Sequence, residues 1–171
     1  MNMKTLLAGA VATYFGVMAS AYAADKMSPR EFVDEASAKG IAEIETGKLA
    51  LDKGTSADVK SFAQMMIDDH TAANKELATL ASEKKLKVAD DAELMNKAKA
   101  FILKLRDGES FDEAYANNQV KAHEATIELF RDEAETADDA ELKAFAKKTL
   151  PKLESHLDMA KKLAAAHKKA N

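Results

Sequence analysis

Three of the four histidines in this chain, His70, His123 and His156, fall where helical periodicity asks for an apolar side chain. In "FAQMMIDDHTAANKELATLA", residues 62–81, the stripe runs Phe62, Ala63, Met66, His70, Ala73, Leu77 and Leu80 at three- and four-residue steps. His123 continues Phe111, Tyr115, Gln119 and Ala122 and precedes Thr126 and Phe130, and His156 sits among Leu153, Leu157, Ala160 and Leu163. The fourth, His167, lies in a lysine-rich tail, where solvation is the expectation. Buried polar groups must be satisfied. Imidazoles on a core face therefore either hold helix register through hydrogen bonds or hold a metal.

Depth along the helices narrows the partners. With a rise of about 1.5 Å per residue and chain turns near residues 55 and 138, His70 lies level with about Gly40. His156 lies level with about Gln119, one turn from His123. Gly40 and Gly47 open space on the first helix, and Glu43 sits between them at the edge of the apolar stripe. The candidate metal ligands are Glu43, His70, His123 and His156, with Asp69, Tyr115 and Gln119 as orienting groups. One carboxylate with two or three imidazoles suits zinc, iron or copper. Met66 and Met159 share faces with His70 and His156, and a thioether beside imidazole suits copper(I), although methionine is also ordinary core filler. The stripe turns Glu43 inward, whereas aligning the two "DEA" triplets puts Glu45 opposite His123, so either glutamate can face the core.

Other chemistries find less support. Di-iron bundles carry Glu-x-x-His on two helices, but the residues three before these histidines are Ile67, Val120 and Leu153. Ferroxidase and oxygenase chemistry are disfavoured. A redox or peroxide-handling enzyme would need an open metal position. There is no cysteine nucleophile, no glycine-rich phosphate cradle and no strand-turn-helix signal, and the serines sit at caps or in solvated segments.

The elements that must position these residues are helices. Ser28-Pro29 opens the first as N-cap and first-turn residue, and Phe32, Val33, Ala36, Gly40, Ile44, Gly47 and Leu51 mark its inner face. Gly54 can end it and Ser56 can cap the second, which frays through Glu83 to Lys87. A connector over 86–109 carries a short helix of its own, about Ala92 to Arg106, closed by Asp107-Gly108. A third long helix starts near Ser110, "ETADDAE" turns the chain, and a fourth follows, with a kink or bulge predicted near 147–151 because Pro151 interrupts it. Two short loops and one long connection predict an all-α fold, a ferritin-like four-helix bundle of two antiparallel hairpins joined by a long crossover. "FVDEA" recurs as "FDEA", "VKSFA" as "LKAFA", and His70-x6-Leu77 as His156-x6-Leu163, the pattern of one duplicated hairpin.

Composition agrees. The chain has 171 residues, no cysteine, no tryptophan and two prolines, and a net charge of −4. A mildly acidic surface with mixed signs disfavours nucleic acid and anionic lipid as partners. Residues 1–23 read as a signal peptide: Lys4, an apolar run from Leu6 to Met18 too short to span a membrane, then Ala21-Tyr22-Ala23. Cleavage after Ala23 would leave 24–171 as one periplasmic or secreted domain with no membrane insertion, and no cysteine follows the run to carry a lipid.

The pieces "EIETG" (43–47), "VKSFAQMMIDDH" (59–70), "FDEAYANNQVKAHE" (111–124) and "LKAFAKKTLPKLESHLDMA" (142–160) together resemble the exported, ferritin-like family catalogued as domain of unknown function 4142. The resemblance implies a ferritin-like bundle and export, and no established activity. Its recurrent elements fall on Glu43, Asp69-His70, Gln119/His123 and Leu150-Pro151/His156. The expectation is an exported helical bundle that binds a transition metal in its core. The alternative is a non-catalytic envelope structural, interaction or stress-related protein whose buried histidines are structural, with the protein partner unspecified.

Overall fold

The structure, a computed structural model, describes residues 26–102 and 111–168. The proposed leader (1–23), the Asp107-Gly108 stop and the Ser110 start lie outside the described residues. Those described are all-helical: α1 (Pro29–Lys53), α2 (Ala57–Glu83), α3 (Asp91–Ile102), α4 (Phe111–Thr136) and α5 (Ala140–His167). α1 packs along α2 and α5 along α4, while α1 also meets α4, α2 also meets α5, and the short α3 lies against α1. No helix among them is long and apolar enough to cross a membrane.

The helix starts follow the sequence closely. Ser28 and Glu31 form a reciprocal capping box ahead of Pro29, and Asp139 caps α5 by accepting from the backbone N–H of Glu141 and Leu142. Ser56 occupies the N-cap position of α2 but makes no side-chain cap bond. Its turn is held instead by Asp112 of α4, whose carboxylate accepts from the Thr55 N–H (3.0 Å), the Thr55 hydroxyl (2.6 Å) and the Ser56 N–H (3.0 Å). Burial works against that charge, and the Thr55 and Ser56 hydrogen bonds outweigh it, keeping the carboxyl below the usual aspartate range. Asp112→Ala is expected to cost about 2 kcal/mol, the scale of charge-assisted bonds lost at a part-buried site. Urea denaturation checks this; a midpoint equal to that of the unaltered protein would remove Asp112 from the account.

One expectation is corrected at a helix end. α2 does not fray through Lys87. Lys85 takes a left-handed φ of 53°, and Leu86 N–H reaches Ala81 O while Lys85 N–H reaches Ser82 O, closing the helix with a Schellman turn. Lys84 then pairs with Asp139 and Glu141, tying this end to the α4–α5 turn. α5 runs unbroken through Pro151, whose side chain lies on the exposed face. Water can satisfy the carbonyl that loses its donor there.

The glycines of α1 serve α2 and leave no open space. A Cβ on Gly40 would stand 2.1 Å from Asn74 Oδ1, and one on Gly47 would stand 2.8 Å from Ile67 Cγ1. Because α2, α3 and α4 surround it, α1 is buried over a wide arc, with Asp34, Ala38, Ala42 and Thr46 inside as well as Phe32, Val33, Ala36, Gly40 and Gly47 of the expected stripe, while Ile44 and Leu51 are half-buried. Ala38 meets Ala89 and Leu94 beneath α3, and Asp34 accepts from the Ala89 N–H. The two members of the "DEA" repeat thus play similar parts: Asp34 and Asp112 are both buried and both hold the backbone of a connecting segment.

The core comes in two blocks. One gathers Phe32, Leu77, Phe130, Leu142, Phe145 and Leu153, and the other gathers Ala50, Val59, Phe62, Met66, Tyr115 and Leu163. Between these blocks every long helix contributes buried polar residues: Glu43 and Thr46 on α1, His70 on α2, Gln119, His123 and Thr126 on α4, and His156 on α5.

Candidate metal centre

Each histidine reaches this layer because it replaces one apolar residue in a continuing stripe. Met66 precedes His70 by one turn, Gln119 precedes His123 by one turn, and Leu153 precedes His156 by three residues. Their side chains are buried, at 7 %, 1 % and 2 % exposure. The ring centroids stand 5.7 Å (70–123), 5.7 Å (70–156) and 5.4 Å (123–156) apart, and one nitrogen from each ring lies within 4.8 Å of the others.

Hydrogen bonds determine which nitrogen faces inward. The Gln119 carbonyl can only accept, so His123 Nδ1 carries the proton in that 2.9 Å bond and Nε2 keeps its lone pair. His156 Nε2 lies 2.9 Å from Asp69 Oδ2, which places the proton there and leaves the Nδ1 lone pair free. His123 Nε2, His156 Nδ1 and His70 Nε2 are all buried and without a hydrogen-bond partner. A carboxylate or carbonyl on the far nitrogen is the usual support of a metal-bound imidazole.

The electrostatics favour the neutral form of His70 and His156. Burial, followed by the nearby His123 and His156, pushes the His70 pKa down to about 3. Burial also lowers His156, against the pull of its Asp69 bond. Asp69 is held below its ordinary value: burial opposes its charge, but Lys152, at 2.7 Å, and His156 together prevail. Neutral imidazole is the form that ligates.

The other predicted residues fall around this triad. Glu43 is inward and 4 % exposed, whereas Glu45 pairs with Lys48 at the surface, which resolves the choice the sequence left open. The Glu43 carboxylate lies outside the cluster of mutually close ligand atoms. Burial raises its pKa, with His123 and a Gln119 hydrogen bond pulling the other way, and its Oε2 has no partner. The Gln119 amide also donates to the Thr46 hydroxyl at 3.5 Å. Tyr115 belongs to the neighbouring apolar block, against Phe62 and Phe111, with its hydroxyl pKa raised by burial and by Glu43. Asp69 serves His156 and not the adjacent His70. Glu124 and Glu154, also sequence neighbours of histidines, face outward toward Lys161 and Arg131. His167 is not freely solvated, since its Nε2 lies 3.1 Å from Asp58. Sequence reasoning missed Thr46 and Lys152. Thr46 sits one turn after Glu43 on the same face, a signal that was available, while Lys152 is joined to Asp69 only through tertiary structure.

A family model described as "Domain of unknown function (DUF4142)" matches residues 17–163. The chain belongs to that family. Among solved structures, this DUF4142 chain is similar to "CopM in the Cu(I)-bound form", with a TM-score of 0.67 and 14 % identity, covering 82 % of this chain and 97 % of that one. At that identity the likeness concerns the helical fold. No curated protein matches the sequence.

Proposed function

We propose that this DUF4142 protein is an exported, periplasmic, ferritin-like four-helix bundle that binds one copper(I) ion through His70, His123 and His156. The observation that carries the reading is the meeting of three buried imidazoles, with one nitrogen of each within 4.8 Å of the others and with a buried, unpartnered nitrogen on every ring. Leaving such groups unpaired costs about 1–3 kcal/mol each, which a purely structural layer would have no reason to retain. Three nitrogens about 2 Å from a common ion stand roughly 3.5 Å apart, so closure from 4.8 Å asks each ring to move inward by less than about 1 Å.

Charge favours copper(I) over zinc(II) or iron(II). The triad itself supplies no anion, and the cost of burying an ion grows with the square of its charge, about fourfold from +1 to +2. Glu43, buried beside His123 with a free oxygen, stands where it can supply a single compensating charge, as a ligand or from just outside. Asp69 and the Gln119 carbonyl orient the rings. The occurrence of a Cu(I)-bound form in a protein of similar fold supports the same choice. Export rests on the leader-like N-terminus.

Chelator-stripped protein is expected to take up one copper(I) per chain in competition with a chromophoric chelator under anaerobic, reducing conditions. At a thousandfold excess over Kd, this binding should raise Tm by on the order of 10 °C. Failure to bind stoichiometrically, with no thermal gain, would overturn the proposal. The second reading, a non-catalytic envelope protein whose histidines hold register, would then stand, favoured by the Asp69–His156 bond joining α2 to α5.

A further inference from the structure

A small cavity lies beside the triad, between α2 and α5 and reaching toward α1 and α4. Its volume is about 30 Å³, and both His70 and His156 line it. This is room for one or two water-sized molecules. The rest of its wall is mostly apolar, with Ala73, Leu77, Phe130, Phe145 and Leu153 around the imidazoles.

The polar groups on that wall are already engaged. The Thr126 hydroxyl donates to Ala122 O at 2.8 Å, the Thr149 hydroxyl donates to Phe145 O at 2.8 Å, and the Asn74 amide donates to Ser37 O at 3.1 Å. Asp69 accepts from Lys152 and His156. A buried water needs two to four polar partners. A water in the cavity is therefore poorly held, while an uncharged, weakly hydrated molecule of similar size loses nothing.

We propose that this cavity is a second ligand site of the centre, taking one uncharged, diatomic-sized lone-pair donor as a fourth ligand to copper(I). The inference rests on the copper(I) reading above. Three imidazoles leave copper(I) one position short of tetrahedral, and the cavity borders two of the three ligands. The volume excludes larger ligands, and the two charged groups on the wall, Asp69 and Lys152, are paired with each other and leave no net charge to hold an ion.

Carbon monoxide is the probe. Copper stoichiometry is first measured by chelator competition; anaerobic copper(I)-loaded protein is then exposed to carbon monoxide and its C–O stretch recorded by infrared spectroscopy. A single sharp band, saturating at one carbon monoxide per copper, is expected. Ala73→Leu adds bulk at a partly exposed position of the wall and is expected to keep copper stoichiometric while weakening carbon monoxide binding at least tenfold. Ala73→Ser, which adds little volume, should retain the band. Full copper loading without a carbonyl band, or an undiminished band in Ala73→Leu, overturns the second site and leaves the metal assignment intact. Absence of copper loading overturns both.

Discussion

Replacing His70 by leucine is expected to stabilise the metal-free protein while abolishing copper(I) binding. His70 Nε2 is buried without a partner, and its ring lies between two apolar blocks that a leucine side chain can join. Met66 one turn before it and Leu77 two turns after it already belong to those blocks. Exchanging an unsatisfied buried polar group for a shape-compatible apolar one should gain about 1–2 kcal/mol in the absence of metal. The same exchange leaves two imidazoles, and affinity for copper(I) should fall by at least a hundredfold, about 2.7 kcal/mol. Urea denaturation of chelator-treated samples reads the first effect and chelator competition the second. A variant that binds copper(I) normally, or unfolds more readily than the parent without metal, contradicts the assignment; the latter result would show that His70 is needed for register. Stability given up at one residue for the sake of a site is the usual mark of function.

Protonation of His70 is expected to weaken the metal-free fold as the pH falls below about 6.5. An imidazole in the unfolded chain has a pKa near 6.5, whereas His70 in the fold is pushed down to about 3 by burial and by its histidine neighbours. Between those values the unfolded chain binds a proton that the folded protein refuses, so stability rises with pH across that window. The contribution is complete above about pH 6.5 and is lost progressively as the pH falls toward about 3. For a shift of this size, the loss amounts to a few kcal/mol. His156, lowered for the same first reason, acts in the same direction. Asp69 and Asp112, both held below their ordinary values, add their own losses only as the pH falls through the carboxylate range. Glu43 and Glu133, both raised by burial and Glu133 to about 7, act in the opposite direction over this range, so the diagnostic is the difference: between pH 7.5 and 5.0 the urea midpoint of the parent should drop relative to that of His70→Leu. Parallel profiles for the two proteins would mean that His70 is already protonated in the fold, which is incompatible with a ligand lone pair.

The histidines themselves were legible because burial on a helix is a local property of spacing. His70, His123 and His156 stood on apolar stripes, and all three are buried. The same periodicity turned Glu43 inward, and α1 agrees, because positions 43 and 45 lie on nearly opposite sides of a helix and Glu45 is at the surface with Lys48. The internal "DEA" alignment pointed to Glu45 and was misleading there: the same eleven-residue step separates Asp34 from Glu45 and Asp112 from His123 in unbroken helices, but only His123 is covered by its neighbours. The four long helices, their turns and the short α3 were also readable, since caps and breakers act within a few residues.

What lay beyond the sequence depends on how helices meet. That Pro151 lies on the exposed face of an α5 continuous from Ala140 to His167 is one such outcome. Gly40 and Gly47 suggested room for a metal, and α2 fills that room with Asn74 and Ile67. Asp69 precedes His70 in the chain yet bonds His156, because consecutive residues on a helix point about 100° apart and the partner comes from α5. The sequence by itself determined the helices, their buried faces and the choice of imidazole at three inward positions. Only the tertiary structure decided that the three rings meet, that one nitrogen of His123 and of His156 is engaged, and that each ring keeps a buried nitrogen free. Periodicity specifies direction around one helix axis, whereas a site of this size depends on distances of a few ångströms between helices far apart in the chain.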